Sequence, residues 1–165
     1  MLKWNKKFEY PASIRSSIEG KRHYEITGQK LPSVTTILSA TQSAEKKKKL
    51  EEWKQRVGTQ AADRIRDVSA MRGTAMHTYL EGYILGENHM DLTSIGREAE
   101  RMAKVVIESG LGDLEEIWGS EVTLYYPGLY AGATDVVGIY NGRESIIDFK
   151  QTNKPKQREW IDDYF

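Results

Sequence analysis

Asp148-Phe149-Lys150 puts a carboxylate and an ammonium two residues apart at the end of the run "RESIIDFK" (143–150). Residues two apart in a strand share a face, so both charges would project to the same side. The preceding run "YAGATDVVGIY" (130–140) is joined to it by Asn141-Gly142. Asn-Gly between alternating apolar runs is the strongest short-range signal for a two-residue hairpin turn. Counting outward from that turn, Tyr140 should face Arg143, Gly138 should face Ser145, and Asp135 should face Asp148. Facing residues hold their Cβ atoms roughly 4.5–5.5 Å apart, and like charges placed so destabilise the sheet. A cation between them would answer the repulsion. Lys150 could be that cation, closing a salt-bridged cluster on the sheet face. A divalent metal such as Mg²⁺ is the alternative, since it takes carboxylates plus waters. Lys150 would then be free to orient a water nucleophile or to offset charge on a phosphate.

The elements that would hold these groups can be read from periodicity. Residues 23–32 suggest a short strand, a turn and a proline stop. Ser33 is placed to cap a helix over 33–41, and Leu50, Trp53 and Val57 fall at helical spacing in a charged helix over 44–56. Helix-period apolar positions run from 59 to Gly86, with a break or a close backbone approach expected near Arg72-Gly73-Thr74 because a glycine falls inside the helix. On that helix His77 and Glu81 are four residues apart on one face, so Glu81 could accept the second N–H of the imidazole. A further helix is expected over 93–109. The period then changes to that of strands over 115–126, 130–140 and 143–150, and 154–165 begins another helix. His23 and His89 have no motif around them, and Trp53 and Trp160 read as packing residues. Tyr125, Tyr126 and Tyr130 flank a Pro-Gly turn where a base could stack.

The 165 residues suit one α/β domain with segregated elements. Apolar residues make up 39% and charged residues 29%, as in ordinary globular chains. Zero cysteines exclude disulfides and thiolate metal sites, and no apolar run approaches the roughly 18 residues of a membrane span. An intracellular protein is expected. The net charge is zero, yet residues 1–66 hold 15 Lys and Arg against 7 Asp and Glu, while residues 67–165 hold 9 against 17. A basic half beside an acidic half fits a polyanion partner and a carboxylate-rich metal site, and it also fits plain solvated faces.

Asp135 followed a hairpin later by Asp148-Phe149-Lys150 resembles the PD-(D/E)XK nuclease superfamily, whose signature is Asp…(Asp/Glu)-x-Lys on adjacent strands. "RGTAMH" (72–77), "LPSVTTIL" (31–38) and "LEEWKQRVG" (50–58) resemble segments of its RecB-like exonuclease branch, in the same order over roughly residues 23–165. The resemblance implies a restriction-endonuclease-like core: a small central mixed or antiparallel sheet flanked by helices. It also implies a mainly helical, DNA-binding half over 1–110 and a catalytic sheet over 111–165 in a single domain. It implies a Mg²⁺- or Mn²⁺-dependent DNA exonuclease, with single-stranded DNA as the partner and the helical half arching over the strand. Asp135 and Asp148 match the metal-binding carboxylates, the Phe149 carbonyl and His77 match further ligands, and Lys150 matches the catalytic lysine. Glu121 matches a frequently acidic position. Arg72, Thr152, Ser33 and Thr35 match positions that meet DNA phosphates. Such nucleases continue beyond the helix in which this sequence ends, so a missing C-terminal segment or a partner chain is expected to complete the fold. A non-catalytic DNA-binding fragment and a metal-dependent endonuclease are the competing readings.

Overall fold

The computed structural model describes residues 2–152 and residue 158. The helix expected over 154–165 lies outside the described residues, apart from Arg158. Three two-residue turns organise the strands, each a pair of residues with positive φ: Glu19-Gly20 (49° and 74°), Thr27-Gly28 (51° and 76°) and Asn141-Gly142 (49° and 71°). Positive φ at both positions marks the type I′ turn, whose twist matches that of paired strands. The first two turns fold β1 (Ser13–Ile18), β2 (Lys21–Ile26) and β3 (Gln29–Pro32) into an antiparallel sheet. The N-terminal half thus carries a small sheet ahead of its helices. Its hairpins close on Glu-Gly and Thr-Gly, which lack the strong signature of Asn-Gly.

Ser33 caps the helix that follows, α1 (Val34–Thr41), by accepting a hydrogen bond from the Thr36 amide. Ser43 does the same for α2 (Ala44–Val57). Next, α3 (Thr59–Leu85) runs 27 residues without the break expected near Gly73. A helical glycine costs only about 1 kcal/mol relative to alanine. That is too little to interrupt a helix whose Met76, Leu80 and Ile84 are buried one turn apart in the main core. The first half of α3 and all of α2 are different: among their described residues only Ala62 is buried. The two helices are therefore held to the body at one end.

The helix α4 (Ser94–Ser109) packs along α3, burying Gly96, Ala99 and Ala103. Its side chains and those of α3 cover the second sheet, β4 (Leu114–Tyr126), β5 (Tyr130–Tyr140) and β6 (Arg143–Ile147), all antiparallel. A short parallel bridge from Trp4 to Ile117 adds to the β4 edge, so the mixed sheet expected from the resemblance is present in small measure. Tyr24, Ile26, Leu31 and Ala131 form a second, smaller core between the two sheets. A parallel bridge between Ser33 and Ala131 ties the sheets together.

Two irregularities offset the first residues of β4 against the end of β5. The β4–β5 register shifts by one residue between Leu114 and Glu116 and again between Ile117 and Gly119. Such bulges bend a strand and re-aim its side chains. Gly138 lies beside the second, where an added Cβ would stand 2.0 Å from the Glu116 carbonyl oxygen. Gly138→Ala is therefore expected to cost at least about 1–3 kcal/mol, the scale of overpacking. Urea denaturation should show the lowered midpoint, and an unchanged midpoint would mean that β4 can straighten freely.

Candidate metal centre

The β5–β6 ladder follows the count from the Asn141-Gly142 turn through Tyr140↔Arg143, Gly138↔Ser145 and Val136↔Ile147. It ends there, one position short of Asp135 and Asp148. The Asp135 carboxylate takes over from the ladder, accepting the Phe149 amide at Oδ2. Asp148 instead pairs with Lys150, Oδ2 to Nζ at 2.5 Å, on the exposed side of the strand end. The two charges two residues apart do share a side, as the period of a strand requires.

His77 reaches this strand end from α3. Its Nδ1 lies 3.0 Å from Asp135 Oδ1 and its Nε2 lies 2.9 Å from the Phe149 carbonyl oxygen. Both neighbours are acceptors, and a neutral imidazole can donate to only one of them. The hydrogen bond to Asp135 accordingly raises the His77 pKa above its usual value, against burial, with the Phe149 carbonyl adding to the rise and the Lys150 charge opposing it. With both nitrogens occupied, the pairing of His77 with Glu81 expected from their spacing is not made. Glu81 instead contributes its charge to the environment of Glu121.

Glu121 comes to the site by the unbroken register that runs back from the β4–β5 turn, Tyr126↔Tyr130. The ladder pairs Ser120 with Val136 and Val122 with Thr134, which sets Glu121 across from Asp135. The two shifts lie beyond it, toward the start of β4. Glu121 also holds a φ of 51° in mid-strand, a left-handed conformation that a residue with a Cβ adopts at some cost. Burial, the charges of Asp135 and Glu81, and a hydrogen bond with Asp135 all raise its pKa. For Asp135 burial pushes the same way, but His77 and the Phe149 amide outweigh it, and the carboxyl is held below its usual range.

One ligand atom each from His77, Glu121 and Asp135 lie within 4.8 Å of one another. With the Phe149 carbonyl beside His77, the donor set is one imidazole nitrogen and three oxygens, suited to a hard divalent cation such as Mg²⁺ or Mn²⁺. The raised Glu121 pKa and a His77 flanked by two acceptors both report a concentration of acceptors that a cation would satisfy. Two results are expected. Glu121→Gln should raise the melting temperature without metal, by removing a charge from the acidic pair, and should shrink the upward shift that Mn²⁺ gives the unmodified protein. A fall in the metal-free melting temperature would mean that Glu121 and Asp135 do not repel. Mn²⁺ affinity should also fall by about tenfold per pH unit below the folded pKa of His77, because the ligand must shed its proton. Calorimetric titration between pH 6 and 8 would show this, and an affinity flat over that range would exclude His77 as a ligand. In the metal-free protein the sign reverses. A raised folded pKa makes the His77–Asp135 pairing stabilising below the unfolded value near 6.5, and that stability is lost as pH rises through the folded value.

The remaining residues singled out by sequence fall elsewhere. Arg72 pairs with Glu98 of α4, Nε to Oε2 at 2.6 Å. Ser33 is buried, its hydroxyl engaged with Thr36 and with Thr35 Oγ1 at 2.8 Å. Thr35 is exposed on the first turn of α1, and Thr152 is exposed just beyond Lys150. The rings of Tyr126 and Tyr130 stand 6.0 Å apart on the β4–β5 turn. His23 Nδ1 lies 3.0 Å from the Lys21 carbonyl oxygen, and His89 packs edge-on against Tyr79.

No family model matches the chain. Over 159 residues it is 26% identical to the mitochondrial genome maintenance exonuclease 1 of Xenopus tropicalis. The chain is similar to an exonuclease. The alignment takes in 91% of this chain and 44% of that protein, so the chain spans less than half the length of the curated relative it matches. The similarity and the candidate triad agree on a nuclease relationship and a divalent metal. Among the described residues no helix is long and apolar enough to cross a membrane.

Proposed function

We propose that the chain is a Mg²⁺- or Mn²⁺-dependent exonuclease of the PD-(D/E)XK superfamily, in its RecB-like branch. Its substrate would be single-stranded DNA, shortened from an end during replication, recombination or repair. The observation that carries this reading is the convergence of His77, Glu121, Asp135 and the Phe149 carbonyl beside the Asp148–Lys150 pair. His77, Asp135, Phe149 through its carbonyl, and Glu121 would hold the cation, with Asp148 swinging in from its Lys150 partner. When bound there, a divalent cation supplies Lewis acidity that makes water nucleophilic and offsets phosphate charge.

The protein's own groups do the rest. Lys150, released from Asp148, orients the attacking water and opposes the negative charge that grows on the phosphate oxygens. The Phe149 amide, fixed by Asp135, holds the strand end that carries Lys150. The exposed helix α2 and the first half of α3, anchored at one end, would arch over the strand and meet its backbone rather than its bases. Arg72 on α3, Thr152 and Thr35 would contact phosphates. Ser33 positions Thr35 from below as the cap of α1, at a helix N-terminus that favours anions.

The test is cleavage of end-labelled single-stranded and duplex DNA, and of closed circular DNA, in Mg²⁺, Mn²⁺ or EDTA. Metal-dependent shortening from an end supports the proposal. Cutting of closed circles would make the chain an endonuclease, and binding without cleavage would make it a DNA-binding fragment that needs a further segment or a partner chain.

A further inference from the structure

A groove lies away from the metal centre, between the β1–β2 hairpin and α1. Its volume is about 720 Å³, within the range of ligand-binding clefts. Arg15, Lys21 and Arg22 line it from the hairpin together with Ser16 and Ser17, and Thr35, Thr36 and Ser39 line it from α1. No carboxylate lines it. Among the described residues Arg15, Lys21 and Arg22 form no ion pair, as is true of several other surface cations; what sets these three apart is that they line one groove. The Ser16 hydroxyl is shielded from solvent and has no hydrogen-bond partner. Three unpaired cations beside a row of hydroxyls, opening on the first turn of a capped helix, make a site for successive phosphates rather than for a single apolar ligand.

Its place in the fold says what kind of ligand could use it. The Ser33–Ala131 bridge fastens the start of α1 to β5, four residues along the strand from Asp135. At about 3.3 Å per residue Ala131 is on the order of 13 Å from Asp135, and the groove is reached from it through Ser33 and α1. A mononucleotide cannot span that distance, but a strand of several nucleotides can. Building on the proposed nuclease reading, we infer that this groove is a second anchoring site that grips the phosphodiester backbone of single-stranded nucleic acid several nucleotides from the point of cleavage. The grip is electrostatic and independent of the metal.

The experiment is equilibrium binding of fluorescein-labelled oligothymidylates of 2, 8 and 30 residues in EDTA, at several salt concentrations. It compares the unmodified chain with the triple variant Arg15→Ala, Lys21→Ala, Arg22→Ala. Binding of the 30-mer should weaken roughly 10- to 100-fold, and its log–log salt slope should become shallower by about 2, since each phosphate contact on a single strand contributes about 0.7. The 2-mer should be affected little. The charge-preserving variant Arg15→Lys, Arg22→Lys should restore the slope, and melting curves should be superimposable if the variants fold. An unchanged slope for the 30-mer, no binding by the unmodified chain, or equal competition by polyglutamate would each overturn the groove assignment. Because binding is read without metal, the two proposals fail separately. A groove-dependent slope without cleavage would sink the nuclease, and cleavage with an unchanged slope would sink the groove.

Discussion

Lys150→Ala is expected to lower phosphodiester cleavage by about 10²–10⁴-fold, the range for losing a positioned proton-handling or charge-stabilising group. Its side chain is 54% exposed and contacts Asp148, so the protein's fold does not lean on it. Exposed ion pairs contribute about 0–1 kcal/mol, and the melting temperature should barely move. Metal affinity should be kept or slightly improved, because Asp148 gains freedom and a nearby positive charge is gone. The Lys150 charge is felt at both His77 and Asp135, which places the ammonium within electrostatic reach of the cluster. Single-turnover cleavage at saturating Mn²⁺, beside a Mn²⁺ titration of the same variant, separates the two effects. Retained cleavage would remove Lys150 from the chemistry. Lost metal binding would make it a structural partner of Asp148 instead.

Asp135→Asn should be more damaging still, for two separable reasons. Asp135 is only 8% exposed and its carboxylate engages both His77 and the Phe149 amide. Removing its charge takes a ligand from the cluster, and metal affinity should fall by more than the roughly 10–100-fold that loss of an outer partner costs. Cleavage should be undetectable. The amide oxygen can still accept from Phe149, so the strand end and the fold should survive. Asp135→Ala would leave the Phe149 amide and His77 without their partner, at about 1–3 kcal/mol for each buried group. Comparing the two variants by calorimetry tests this division: equal losses of stability would mean that Asp135 does not anchor Phe149. The acid limb carries a further signature. A carboxyl held below its usual pKa contributes stability that is present above about 3.8 and is lost as pH falls through the folded value. The metal-free unmodified protein should therefore lose stability on acidification more steeply than Asp135→Asn does.

Sequence and structure divide the site between them along a physical line. Turn chemistry is local: Asn141 and Gly142 accept positive φ on their own, and the strand period then carries the register outward to Val136↔Ile147. The cap at Ser33, the helices over 44–56 and 93–109, and the juxtaposition of Asp148 with Lys150 are legible for the same reason, since each depends on residues within a few positions. The hairpins at Glu19-Gly20 and Thr27-Gly28 rest on equally local chemistry, but only their glycines signal it, and β1 was not read. The break at Gly73 did not occur, because burial of Met76, Leu80 and Ile84 against the sheet outweighs one glycine. Beyond the last ladder pair, where Asp135 turns to His77 and to the Phe149 amide, the count from the turn no longer decides the neighbours. His77 was named by resemblance, but that both its nitrogens would be taken by groups 58 and 72 residues away could not be read from its own helix. Glu121 stands opposite Asp135 by the register that runs back unbroken from Tyr126↔Tyr130, but its left-handed φ of 51° and its meeting with His77 are not legible in β4 alone. Sequence alone determined which residues could do the chemistry. The distant strands and helix that converge at Asp135 decided which of them meet, because those contacts form only when the cores on which they rest are packed.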